Sequence, residues 1–244
     1  MESKKGQGVV LVATGPVYVE AAIRSARSVK EHCGPDLPVH IWTDLPEVCA
    51  AAAGAFDSVE RIENPHRRSK VDHLWRTPFE RTLFLDADTR VVADVRGLFS
   101  LLDRFDLCMA HAHRRSHAKS ATTSSSSSSS SPASASPPPV EFPQLNSGVF
   151  LYRRSEGVVA FLKRWQEVFH AAALPKDQVT LRELLWTTDL RVYVLPPEYN
   201  VRYQKYIDAW DAGEAQPKIL HMRKFVDEIK QQTAADPASS TSSS

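Results

Sequence analysis

Two carboxylates stand one residue apart in Phe84-Leu85-Asp86-Ala87-Asp88-Thr89, directly after an apolar run. At the exit of a buried strand both side chains can turn toward one point. Hard divalent cations take carboxylate oxygens and keep open positions for phosphate oxygens. A cation so held neutralises a departing diphosphate. Two acids in a turn also occur as a solvated turn or a helix cap, so the weight of the pair depends on the rest of the chain.

Other chemistry-bearing residues lie further along. Asn146-Ser147-Gly148 precedes an apolar run. A glycine there permits close backbone approach to a ligand, and Asn146 offers both a donor and an acceptor to sugar hydroxyls. Asp177 and Gln178 open a helical stretch, where Asp177 also suits an N-terminal cap. The basic run Arg67-Arg68-Ser69-Lys70 lies ahead of the acidic pair and reads equally as solvated surface. Tyr199, Asn200, Arg202, Tyr203 and Tyr206 suit a carbohydrate-facing wall, although Asn200 also suits a turn. His221 closes a short apolar run, where a lone histidine reads first as an ordinary, hydrogen-bonded one.

These residues need a scaffold that converges them. Residues 8–13 form a continuous apolar, β-branched run, as a strand buried on both faces reads. Val19, Ala22, Ile23, Ala26 and Val29 then recur at helical spacing, and Gly34-Pro35 ends that helix. Strands are expected at 37–42, near 57–62 and at 82–85, with an alanine-rich helix over 46–54. A helical turn near 95–102 and a strand at 106–110 follow. The second half supplies a strand at 148–152 and an amphipathic helix with Val158, Phe161, Leu162, Trp165, Val168 and Phe169 on one face. It continues with a helix over 176–186 and strands at 192–195 and 218–222. This alternation predicts a single α/β domain whose parallel sheet carries helices on both faces. Ligands bind beyond the carboxyl ends of such strands, where Thr14, Asp44 and the Asp86/Asp88 pair all fall.

The domain is expected to span residues 1–234. A serine- and proline-rich insert at about 111–143 has too little apolar surface to offset the entropy of ordering, and residues 235–244 read the same way. Lys+Arg 30 against Asp+Glu 29 leaves a net charge of +1, which provides no field for nucleic acid or an anionic membrane. Cys33, Cys49 and Cys108 have no close spacing, which argues against a disulfide scaffold or a zinc site. They read as partly buried thiols in a reducing compartment. Residues 9–13 are far too short for a signal-peptide core or a membrane span. A cytoplasmic protein is expected, or a catalytic piece of a longer membrane-anchored one.

Val10-Leu11-Val12-Ala13-Thr14, Phe84-Leu85-Asp86-Ala87-Asp88, Leu145-Asn146-Ser147-Gly148-Val149, Asp177-Gln178 and Ile219-Leu220-His221 occur in this order. In that order they resemble the GT-A nucleotide-diphospho-sugar transferases, most of all the glycogenin-like and bacterial galactosyltransferase-like retaining group. The resemblance covers roughly residues 8–225 outside the insert. It implies a GT-A (Rossmann-like), mostly parallel central sheet flanked by helices. It also implies a cation, usually Mn²⁺ (or Mg²⁺), held by Asp86, Asp88 and His221. Thr14 and Tyr18 would meet the nucleotide, with Tyr18 stacking on the base or else packing on its helix. Asp44 would face the nucleobase or ribose. Lys70 resembles the basic residue that contacts donor phosphate or sugar, and Lys224 would touch the diphosphate. Asn146, Ser147 and Gly148 would border the donor. Asp177 and Gln178 would contact the donor sugar, with Gln178 near the reacting face. The family's glycine-containing continuation and Lys-Pro-Trp ending are absent after His221.

The implied reaction moves a sugar from a nucleotide-diphosphate sugar to an acceptor hydroxyl, on a carbohydrate or another molecule. No residue stands out as a general base, which fits retention with the leaving phosphate taking the proton. Two alternatives stand beside it. One is a catalytically inactive nucleotide-sugar-binding domain with a regulatory or scaffold role. The other is a haloacid-dehalogenase-type phosphatase, which also carries two acids one residue apart. That type normally has them on the first strand, with Thr or Val four residues after the first acid. Here that position is Arg90.

Overall fold

A computed structural model describes residues 5–113 and 137–235. Most of the expected insert, residues 114–136, and the tail from 236 lie outside the described residues. The insert's flanks belong to the fold: Phe142 packs edge-on against Trp186 at 5.1 Å, and its carbonyl accepts a bond from Arg182.

The first half alternates strand and helix: β1 (Lys5–Ala13), α1 (Pro16–Cys33), β2 (Val39–Thr43), α2 (Pro46–Ala51) and β3 (Ser58–Arg61). Then come α3 (Lys70–His73), β4 (Phe79–Leu85), β5 (Thr89–Val91), a 3-10 helix (Arg96–Asp103) and β6 (Leu107–His111). The second half holds β7 (Leu145–Arg153), α4 (Glu156–Ala172), α5 (Asp177–Thr187), β8 (Val192–Leu195), α6 (Gln204–Ile207), β9 (Ile219–His221) and α7 (Lys224–Ala235). Gly34, at φ 86°, ends α1 where Gly-Pro is expected to stop it. Ser155 caps α4 by accepting the N–H of Val158.

Seven strands form one sheet in the order β3-β2-β1-β4-β7-β6-β8. β3, β2, β1 and β4 are parallel, as are β6 and β8. β7 runs against both its neighbours, β4 and β6. The sheet is therefore mostly parallel with one reversed strand, a reversal that apolar patterning does not encode. β5 and β9 form a separate antiparallel pair in the register Thr89↔His221.

Strand alternation divides the core between the two faces of the sheet. Val9, Leu11, Ile41, Leu83, Leu85 and Leu151 face α1 and α7, where Ala22, Ile23, Ala26 and Val226 meet them. Val10, Trp42, Phe84, Phe150 and Tyr152 face the other way, against Phe161, Leu162 and Trp165 of α4 and Leu181 and Leu185 of α5. Val168, expected on the buried face of α4, is only half-buried. Cys33, Cys49 and Cys108 are free and buried, and burial pushes the Cys49 and Cys108 thiols up to about 11 and about 12. Among the described residues no helix is long and apolar enough to cross a membrane.

Candidate functional site: an acidic cluster in a polar cavity

The registers Leu11↔Leu85 and Ala13↔Thr43 bring the carboxyl ends of β1, β2 and β4 side by side. A cavity of about 550 Å³ opens there, lined by residues that include Thr14, Tyr18, Asp86, Asp88, Asn146, Ser147, Asp177, Gln178 and His221. That volume falls within the range of about 300–1,000 Å³ common for small-molecule sites.

The acidic pair leaves β4 in a tight turn. Asp86 N–H donates to the Gly148 carbonyl at 2.8 Å, and the Thr89 hydroxyl donates back to the Asp86 carbonyl at 2.8 Å. The β5–β9 pairing then carries His221 to the same place from the far end of the chain. Its Nε2 lies 3.1 Å from Asp88 Oδ1 and 3.7 Å from Asp86 Oδ2. On the other side of the ring, Nδ1–H donates to the Asn200 amide oxygen at 2.8 Å. That bond turns Nε2 toward the carboxylates, where it would hold a cation through its lone pair. Burial alone would raise the Asp88 carboxyl, but His221 and Arg202 beside it hold it well below the usual carboxylate range.

Gly148 shapes the floor. A Cβ there would lie 2.2 Å from His221 Cε1 and 2.4 Å from Asp86 Oδ2. Only a residue without a side chain leaves the three ligating groups room to meet. Two carboxylates and an imidazole, with atoms all within 4.8 Å of one another, fit a divalent cation.

Beside this cluster runs a chain of alternating charges. Lys70, on α3, is buried and reaches Asp86 Oδ1 at 3.0 Å and Ser147 Oγ at 3.0 Å. It also stands 3.5 Å from Asp177 Oδ2. Ser147 donates its hydroxyl to Asp177 at 2.6 Å, and Arg68 Nε sits 3.4 Å from the same carboxylate. Burial favours the neutral amine of Lys70, but Asp177 and Asp86 outweigh it and raise its pKa. Burial would likewise raise Asp177, and Lys70 and Arg68 reverse that to a lowered value. Of the basic run, Lys70 is thus the buried member at the acidic pair, and Arg68 is the second to reach inward.

At the opposite end, Asp44 accepts the Gly15 N–H with both carboxylate oxygens, each at 3.0 Å. Gly15 has φ 78°, a left-handed conformation that glycine takes without cost. Asp44 therefore braces the β1–α1 turn from behind the cavity wall, while Thr14 and Tyr18 line the wall itself. Tyr18 is 46% exposed, so it is not consumed by helix packing. Asn146 turns its amide oxygen to the Gly148 N–H at 2.8 Å.

Lys224 is not brought to this site. It is the first residue of α7, exposed, with Nζ 5.6 Å from the Phe225 ring. The late cation at the cavity is Arg202, with Nη1 4.0 Å from Asp88 Oδ2. Of the wall suggested by aromatic and amide residues, Arg202 and Tyr203 line the cavity and Asn200 stands behind His221. Tyr206 stacks on His113 at 4.6 Å, and Tyr199 packs against the core. His113 and His66 also line the cavity, although no periodicity or motif marks them.

This fold is that of the GT-A nucleotide-diphospho-sugar transferases. The chain belongs to the nucleotide-diphospho-sugar transferase family, whose sequence profile matches residues 80–228. It is thus a glycosyltransferase by family, and the phosphatase reading falls. No curated protein matches the chain in sequence. Among solved structures it is similar to the glycosyltransferase GlyE of Streptococcus pneumoniae TIGR4, at 18% identity and a TM-score of 0.60, with 90% of this chain and 54% of that one covered. The chain therefore spans about half the length of GlyE. Mouse xyloside xylosyltransferase 1 matches with 14% identity and a TM-score of 0.53, over 88% and 97% of the two chains. The galactosyltransferase LgtC, solved with donor and acceptor sugar analogs, matches with 14% identity and a TM-score of 0.57, over 93% and 95%.

Proposed function

We propose that this chain moves a sugar from a nucleotide-diphosphate sugar to an acceptor hydroxyl, with retention, and that a divalent cation held by Asp86, Asp88 and His221 is required. The observation that carries this reading is the convergence of two carboxylates and an imidazole from distant parts of the chain onto the floor of one cavity. The oxygen-rich donor set suits Mn²⁺ or Mg²⁺. When bound, the cation supplies charge neutralisation to the departing diphosphate.

The protein's own groups do the rest. Thr14 and Tyr18 receive the nucleoside at the carboxyl end of β1, with Asp44 fixing the turn behind them. Lys70, 3.0 Å from Asp86, offers a fixed positive charge at the leaving group, while Arg202, 4.0 Å from Asp88, offers a second. Such preorganised charges act where negative charge develops. Asp177 is held by Lys70, Arg68 and Ser147 and, with Gln178, borders the sugar. Gly148 and Asn146 let the sugar approach the backbone. The acceptor is a carbohydrate or another hydroxyl compound and enters past Tyr203 and His113.

The test is donor turnover across a panel of nucleotide sugars with Mn²⁺ present, repeated with chelator and with Asp88→Asn. Turnover abolished by both chelator and substitution is the expected outcome. Full activity with chelator present overturns the cation assignment. Donor binding without any transfer or hydrolysis would favour the inactive, regulatory alternative.

A further inference from the structure

Outside the donor cavity floor, a second group of side chains gathers metal-ligating atoms. His66 lies in the loop before α3, Asp72 on α3 and His170 near the end of α4. His66 Nε2 contacts Asp72 Oδ2, and His170 Nε2 lies 2.6 Å from Asp72 Oδ1. The two imidazole rings are 5.6 Å apart between centroids, and all three ligand atoms lie within 4.8 Å of one another. We propose that His66, Asp72 and His170 form a second cation site, suited to a zinc-class ion and distinct from the Asp86/Asp88/His221 cluster.

The donor sets argue for that division. Two imidazoles with one carboxylate match the ligands of zinc, whereas two carboxylates with one imidazole suit a harder ion. Zinc with bonds of about 2.0–2.1 Å places tetrahedral ligand atoms about 3.3 Å apart. The present spacing reaches that with small shifts, because Asp72 already bridges both rings. A surrounding shell is also in place. Gln166 Nε2 donates to Asp72 Oδ1 at 3.1 Å, and Trp75 Nε1 donates to Gln166 Oε1 at 3.0 Å. Partners of this kind orient a ligating carboxylate. His170 is half-exposed, which leaves an entry path and a position for water.

Coordination through Nε2 needs that nitrogen's lone pair, so a proton that a ring directs from Nε2 at Asp72 must move to Nδ1 or leave. For His66 the shift gives up the bond from Arg68 N–H to Nδ1, at 3.2 Å. His66 is laced to Ser69 by two further bonds of 2.8 Å, and both residues line the donor cavity beside Lys70. An ion shared with His170 would thus fasten this loop to α4.

The experiment measures Zn²⁺ uptake by equilibrium dialysis, with Mg²⁺ in large excess to keep the oxygen-rich cluster filled. The expected result is one Zn²⁺ per chain for the unmodified protein and none for His66→Ala or His170→Ala. Gln166→Ala, which removes only the amide holding Asp72, should weaken uptake by about 10- to 100-fold. His170→Gln keeps an amide donor near Asp72, and it should lose zinc while melting at the unmodified protein's zinc-free temperature. No uptake by the unmodified protein, or undiminished uptake by both histidine variants, overturns the proposal.

Discussion

His221 and Asn200 are joined by a 2.8 Å hydrogen bond that decides which imidazole nitrogen faces Asp86 and Asp88. Asn200 is buried and stands outside the cavity wall, so its part is to orient the ring. Asn200→Ala should weaken Mn²⁺ binding by about 10- to 100-fold with the fold retained. Titration of free Mn²⁺ by electron paramagnetic resonance reads this directly, and an unchanged affinity would show that the bond has no bearing on the cation.

Lys70 is 8% exposed in its side chain and sits between the carboxylates of Asp86 and Asp177. Removing one partner from such an arrangement leaves uncompensated buried charge. Lys70→Met should therefore cost about 3–5 kcal/mol of stability, read by urea unfolding, besides abolishing turnover. A variant as stable as the parent would mean that water already screens this amine.

Gly148→Ala places a methyl group where His221 and Asp86 now meet. Backbone strain is not the cause, since extended φ suits any residue; the obstacle is space. Overpacking of this kind costs about 1–3 kcal/mol. The larger expected effect is loss of cation-dependent turnover, because the ligating groups cannot both keep their places. Donor turnover against Mn²⁺ concentration checks this, and parental kinetics would refute it.

Asp177 has a folded-state pKa below its ordinary value of 3.8. The folded protein thus binds this proton less readily than the unfolded chain does. Its stabilising contribution is complete above pH 3.8 and is lost as pH falls below that, through the lowered value. Unfolding free energy measured from neutral pH downward should drop more steeply there in the parent than in Asp177→Asn. Equal slopes would contradict the assignment.

Much of the scaffold was legible because buried parallel strands read as unbroken apolar runs. Residues 8–13 and 82–85 fall inside β1 and β4, and Gly34-Pro35 marks the end of α1. The acidic pair stood out for the same reason, sitting at the end of such a run. The direction of β7 was not legible, since patterning is the same for either orientation. β5 and β9, of three residues each, are too short to show a period, yet their pairing brings His221 to Asp88. Lys70 could not be told from Arg67 and Arg68 by type alone, because the choice depends on the one-turn helix α3. Lys224 was expected at the diphosphate only by analogy, and the start of α7 carries it outward while Arg202 arrives from a neighbouring loop. His170 lies 98 residues from Asp72, so no local spacing announces the group it forms with His66 and Asp72.

His111 and Leu145 are register partners where β6 meets β7. The chain leaves the sheet and rejoins it at adjacent positions, next to the cavity residues Ala112, His113 and Asn146. Closing a longer loop between neighbouring anchor points costs only about 0.6 kcal/mol for each doubling of its length. The length of chain between those anchors therefore weighs little on stability, and β7 stays pinned between β4 and β6. A change in the length of that connection should therefore leave the strand order around the cavity unchanged.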